Sequence, residues 1–176
     1  MNAARDIERA IRDLLSARKD LPVGVRVLAW QSPAETAGFD NPDAPAWSED
    51  ADRLFPVISV NATPPATEGD DSQRALVCDV AIVAGTKVAD DRDRAKLRAM
   101  YELAEDFATA LCIRQETGEE LSYAAFEQTL DRYDPAILLG GVVRGSPQPP
   151  AESAGVYTLG TAIRVKFFIH PKKHEE

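Results

Sequence analysis

The chain reads as an α+β protein with a mixed, mainly antiparallel sheet of four to five strands. One long helix packs across one face of that sheet, and an amphipathic helix stands at the N-terminus. Three observations predict this. Residues 156–169 alternate strictly, with Tyr157, Leu159, Ile163, Val165, Phe167 and Ile169 on one parity and Thr158, Arg164, Lys166 and His170 on the other; a period of two marks a half-buried strand. Residues 91–113 place Leu97, Met100, Tyr101, Ala104, Phe107, Ala108 and Leu111 on one helical face, a period of 3.6. Ahead of both, two β-rich segments joined by a turn-rich link of Pro, Gly and Asp read as an antiparallel hairpin.

The elements follow in order. Residues 2–19 form the first helix, with Ile7, Ala10, Ile11, Leu14 and Leu15 on its apolar stripe and Leu21-Pro22 as the stop. Strand one is 23–30. Residues 31–53 form an acidic, Pro-rich loop whose length inside one domain marks it as either functional or disordered; Phe39 and Trp47 lie in it, either tucked onto the fold or turned toward a partner. Strand two is 54–62, with Pro56 near its start. Residues 66–72 read as an acidic turn and 73–84 as strand three, apolar on both parities and therefore central. Asp90, with Asp93 three residues on, caps the long helix. A shorter helix covers 122–132, with Tyr123, Phe126, Leu130 and Tyr133 inward and Leu121 and Phe126 placed as a staple. Strand four is 135–144, 145–155 is a Pro-rich turn, and the final strand closes the chain. At a rise of roughly 3.4 Å per residue that strand spans about 47 Å. It outruns the sheet predicted around it, which leaves its far end for something else.

Size and composition narrow the function. A chain of 176 residues is expected to be a single domain, 1–176, with a flexible tail at 170–176. Two cysteines, Cys78 and Cys112, make no secreted disulfide framework and read as buried fillers. The uncharged run 135–143 is far too short to span a bilayer. Charges at the N-terminus stand where a secretory leader needs an apolar core, so the expected site of action is the cytoplasm or an assembly built there. Of the net charge of −9, residues 32–71 carry −8, with nine carboxylates against one arginine. That balance argues against a grip on nucleic acid. It fits a solubilising loop, or a surface that repels DNA or steers a basic partner.

The residue types that carry catalysis are sparse. The two histidines, His170 and His174, share the terminal tail, neither cysteine has a histidine nearby, and no Cys/His spacing suits zinc. Gly140-Gly141 lies in a strand, where packing or a bulge explains it, and is not a phosphate loop. Asp131 with Asp134, and Glu119 with Glu120, fit solvated faces or caps rather than acid–base pairs. Ser59, Ser122 and Ser153 occupy no nucleophile elbow. No catalytic residue, metal or cofactor is expected, and the reading favours a binding or structural protein over an enzyme.

Five segments then carry a family resemblance: the helix 3–17, the strands 56–60 and 76–83, the helix 91–113 with its 98–105 core, and the ending 163–169. Their order resembles that of the tail terminator and tail completion proteins of long-tailed bacteriophages and the related head–tail neck proteins. They amount to about a third of the chain. The 31–53 stretch and the helix 122–132 are additions to the family pattern. The resemblance implies a ring, typically a hexamer, that caps the last ring of tail-tube protein and docks the tail to a head–tail connector protein. It also implies a virion protein assembled in the bacterial host cytoplasm. Ring closure needs a head-to-tail contact, and a long terminal strand suits pairing across a subunit boundary. The candidate interface joins Arg164, Lys166, Phe168 and His170 of one subunit to Trp47, Glu49, Asp50 and Asp52 of the next. The other reading is a small cytoplasmic α+β enzyme or ligand-binding domain, with a pocket under 31–53 and Trp47 as its lid.

Overall fold

Two long alternating segments organise the structure. In the computed structural model, residues 2–32, 55–68, 75–113, 122–146 and 148–170 are described. Strand β4 (Ala75–Lys87) and the terminal strand β7 (Val156–Ile169) pair antiparallel from Leu76↔Phe167 to Lys87↔Val156. The other edge of β4 carries β2 (Val57–Ala62) and β3 (Ala66–Glu68), end to end and antiparallel. The other edge of β7 carries β5 (Ile137–Arg144) and β6 (Gln148–Ser153) in the same way. A short β1 (Arg26–Ala29) adds parallel to β2, giving the order β1-β2-β4-β7-β5. The α+β class and the mainly antiparallel mixed sheet are as predicted, but the sheet has seven strands.

The two additional strands arise where the sequence reads as turn. Residues 66–68 continue the line of β2 after Thr63-Pro64-Pro65, and 148–153 continue the line of β5 after an interruption at 145–147. Both are drawn straight by a long neighbour that offers a ladder along its whole length. The terminal strand therefore does not outrun its sheet: β4 pairs with it from Val156 to Phe167, and β6 and β5 flank its other edge as far as Ile169. Strand one is shorter than predicted. Gly24 adopts φ +81° and the Val25 N–H donates to Pro22 O, a turn that delays β1 to Arg26.

Helix α1 (Ala3–Ser16), the long α2 (Asp91–Cys112) and α3 (Ser122–Tyr133) all lie on one face of the sheet. The α2 start is the predicted one. Asp90 accepts from the N–H groups of Arg92 and Asp93, and Asp93 reaches back to the Asp90 N–H, a complete capping box. Its buried face is Leu97, Met100, Leu103, Ala104, Phe107, Ala108 and Leu111, with Tyr101 only half-buried. These meet Cys78, Val80, Ile82 and Ala84 of β4 and Ile163, Val165 and Phe167 of β7, while α1 contributes Ile7, Ile11 and Leu15. Burying each large aliphatic or aromatic side chain contributes roughly 1.5–3 kcal/mol.

Candidate interaction surface

Alternation that buries one face of a sheet presents the other. The outer face carries Val77, Asp79, Ala81, Val83 and Gly85 from β4 and Thr158, Gly160, Ala162, Arg164, Lys166 and Phe168 from β7. No helix among the described residues packs there; all three belong to the core on the other side. Near β1, Leu28, Val57 and Phe55 form a small apolar cluster of their own.

The predicted interface residues divide into two groups. Trp47, Glu49, Asp50 and Asp52 lie outside the described residues, as does the pocket expected under 31–53. Arg164, Lys166 and Phe168 share the outer face of β7, and His170 follows the strand's end. The two bases do face outward, yet each already has a carboxylate beside it. Arg164 Nε donates to Asp79 Oδ1 at 2.9 Å, directly across from it in the ladder, and Lys166 Nζ lies 3.9 Å from Glu68 Oε2. The Asp79 carboxylate raises the pKa of the Arg164 guanidinium, holding it charged. Phe168 is half-buried and leans over Gly140, where a Cβ would stand 2.8 Å from its Cε2. His170 is tied by its backbone N–H to Ala136 O at 2.7 Å.

A half-open depression of about 510 Å³ lies on this face over Ala162, walled by Asp79 and Arg164 on one side and Val143, Gly145, Ser146 and Gln148 on the other. Its lining holds no histidine or cysteine. The other sequence candidates for chemistry have local structural roles. Asp134 accepts from the Ala136 N–H and shapes the entry to β5; Ser59 Oγ donates to Val83 O; Ser153 stands on exposed β6. Glu119, Glu120 and His174 lie outside the described residues. Cys78 is buried and donates to Thr63 O at 2.8 Å, and burial pushes its thiol up to about 12, so it stays neutral. Cys112 is half-buried. Among the described residues no cluster of His, Cys, Asp and Glu could hold a metal ion, and no helix is long and apolar enough to cross a membrane.

Two polar clusters were not foreseen in the sequence. Glu8 on α1 is fully buried, and its carboxylate accepts from the N–H groups of Gln31 and Ala62, both at 2.8 Å, and from Gln31 Nε2 at 3.1 Å. It ties the ends of β1 and β2 to the first helix. At the other contact of α1, Tyr133 donates to Asp13 and accepts from Arg12, with Arg9 stacked over its ring at 5.6 Å. Burial first, and then the Asp13 carboxylate, raises the Tyr133 phenol. In both clusters the charged groups are satisfied within the fold. In sequence Glu8 stands beside the apolar Ile7 and Ile11, the only signal that it faces inward.

Exposed apolar side chains gather elsewhere. Leu138 and Val143 of β5 are 46% and 58% exposed and both lie on the outer face, because a bulge between Leu139 and Gly141 brings them to the same parity. β5 ends the strand order, so its second edge has no strand partner among the described residues. Residues 135–143, read in sequence as an uncharged core run, thus form a sheet edge. No protein-family profile matches this chain, and no curated protein matches it either.

Proposed function

We propose that this chain is a structural assembly protein that forms a ring, typically a hexamer, at the end of a bacteriophage tail tube and joins it to the head–tail connector. One observation carries the reading: among the described residues the sheet has helices on one face only. Its other face offers small residues and Phe168, while its charged groups are paired rather than poised for reaction. Such a surface suits binding to a neighbouring subunit.

The structure changes which part of β7 can make the contact. Both of its edges are taken, so an adjoining subunit meets its outer face and not its end. Arg164 is engaged through Nε, and its terminal amino groups are the ones available to carboxylates such as Glu49, Asp50 and Asp52 of the next subunit. Native mass measurement and light scattering over a wide concentration range, with and without tail-tube protein, test the reading. Closed rings that bind the tube support it. A chain that stays monomeric at every concentration and ignores the tube overturns it.

A further inference from the structure

We infer that β5 is a self-pairing edge: Ile137–Arg144 of two copies pair antiparallel about a twofold axis between Gly140 and Gly141, so that Leu138 of each copy lies opposite Val143 of the other. The argument starts from the backbone. An edge strand presents a row of N–H and C=O groups that a second strand can pair, and proteins commonly blunt such rows with charge or proline. This chain does so on one half of one edge. β5 and β6 lie end to end along β7, and β6 carries Pro149, Pro150 and Glu152. β5 carries neither a proline nor, before Arg144, a charge. The half without protection is the half that exposes Leu138 and Val143.

A second copy is the occupant that this edge fits. Outside residues 32–71 the chain carries a net charge of only −1, and along the uncharged run 135–143 two copies approach without like charges facing one another. The register is self-complementary. Residues opposite one another about that axis have numbers summing to 281, which sets Leu138 against Val143 and Ile137 against Arg144. The bulge puts both exposed apolar residues on the outer face, so each meets the other across the axis. An unrelated regular strand would lose its pairing at the bulge, whereas a second β5 brings the same irregularity to the same point. This contact is isologous, and it stands on the edge geometry independently of the tail-ring reading.

The test uses the full chain. Sedimentation velocity over a range of concentrations should show a monomer–dimer equilibrium. The pair L138K/V143K should raise its dissociation constant at least about tenfold, since two apolar contacts on each side are replaced by facing cations, with an unchanged melting temperature. Cysteine cross-linking in a Cys112→Ser background reads the register without depending on that variant. In L138C/V143C the cysteines of two copies lie opposite one another, at a separation a disulfide can bridge. In either single variant the two cysteines are about 14 Å apart, four ladder steps at roughly 3.4 Å each, because the bulge takes up one residue. Covalent dimer in the double variant alone supports the proposal. Monomer throughout, a dimer indifferent to L138K/V143K, or cross-linking by L138C alone overturns it. Dimers failing while rings still assemble would leave the proposed function standing.

Discussion

Glu8 is the residue on which the helix layer and the sheet edge depend together. Burial raises its carboxyl above the ordinary value of 4.5, outweighing the three hydrogen bonds that pull it down. The folded state therefore binds this proton more tightly than the unfolded chain does. Its contribution to stability is fully present below about pH 4.5 and is lost as pH rises through the higher folded value. Glu8→Gln removes the titration and turns one acceptor toward the N–H donors of Gln31 or Ala62, at a cost of about 1–3 kcal/mol. Denaturant melts of both proteins from pH 4 to pH 8 should show the wild type's advantage narrowing as pH rises; a constant gap would refute the assignment. Ala154 is a second residue with a readable cost. With Gly155 it makes the two-residue β6–β7 turn, both at positive φ, +51° and +81°, the conformation that Asn-Gly satisfies best. Ala154→Asn should stabilise the protein by roughly 1 kcal/mol, raising its melting temperature by about 2–4 °C.

At the scale of elements, period and capping were legible, and partnership was not. The limits of β7 match the prediction from alternation at both ends, because its buried parity is enforced by the core beneath it. The α2 start follows from Asp90 and Asp93 alone. β3 and β6 were missed because little in Ala66-Thr67-Glu68 or in Gln148-Pro149-Pro150 favours a strand; their straightness comes from the ladders that β4 and β7 offer them. The mistaken freedom of the β7 end has the same origin, since a strand's length can be read from its residues but its neighbours cannot. Of the candidate interface, the outward facing of Arg164 and Lys166 followed from parity. Their partners Asp79 and Glu68 depend on register, which one residue's slip would change. Register also explains Gly140. A Cβ there meets Phe168 Cε2 at 2.8 Å and Lys166 O at 3.3 Å, so Gly140→Ala should cost about 1–3 kcal/mol by overpacking. In a double-mutant cycle the cost should fall in a Phe168→Ala background, which removes the ring it strikes; additive costs would mean that the backbone contact dominates.

Over the whole molecule, the acidic excess is concentrated in one stretch of sequence, while the bases of the sheet's outer face already have carboxylates beside them. Residues 32–71 carry nearly all of the −9, while on the outer face Arg164 and Lys166 are matched by Asp79 and Glu68. Reversing the two bases would therefore not test assembly cleanly, because it sets like charges beside one another within a single chain. Neutralisation separates the effects. In R164Q/K166Q the half-exposed pairs are lost, and exposed pairs add little to folding, so the melting temperature should stay within about 2 °C. If the outer face of β7 receives the acidic residues of the next subunit, ring formation by this variant should weaken in low salt. The parent protein should approach the same weakened level as salt rises and the charges are screened within about 10 Å. Scattering measured across salt for the parent and R164Q/K166Q reads the outer-face contact. Equal assembly of R164Q/K166Q and parent at low salt would remove the outer-face bases from the ring contact.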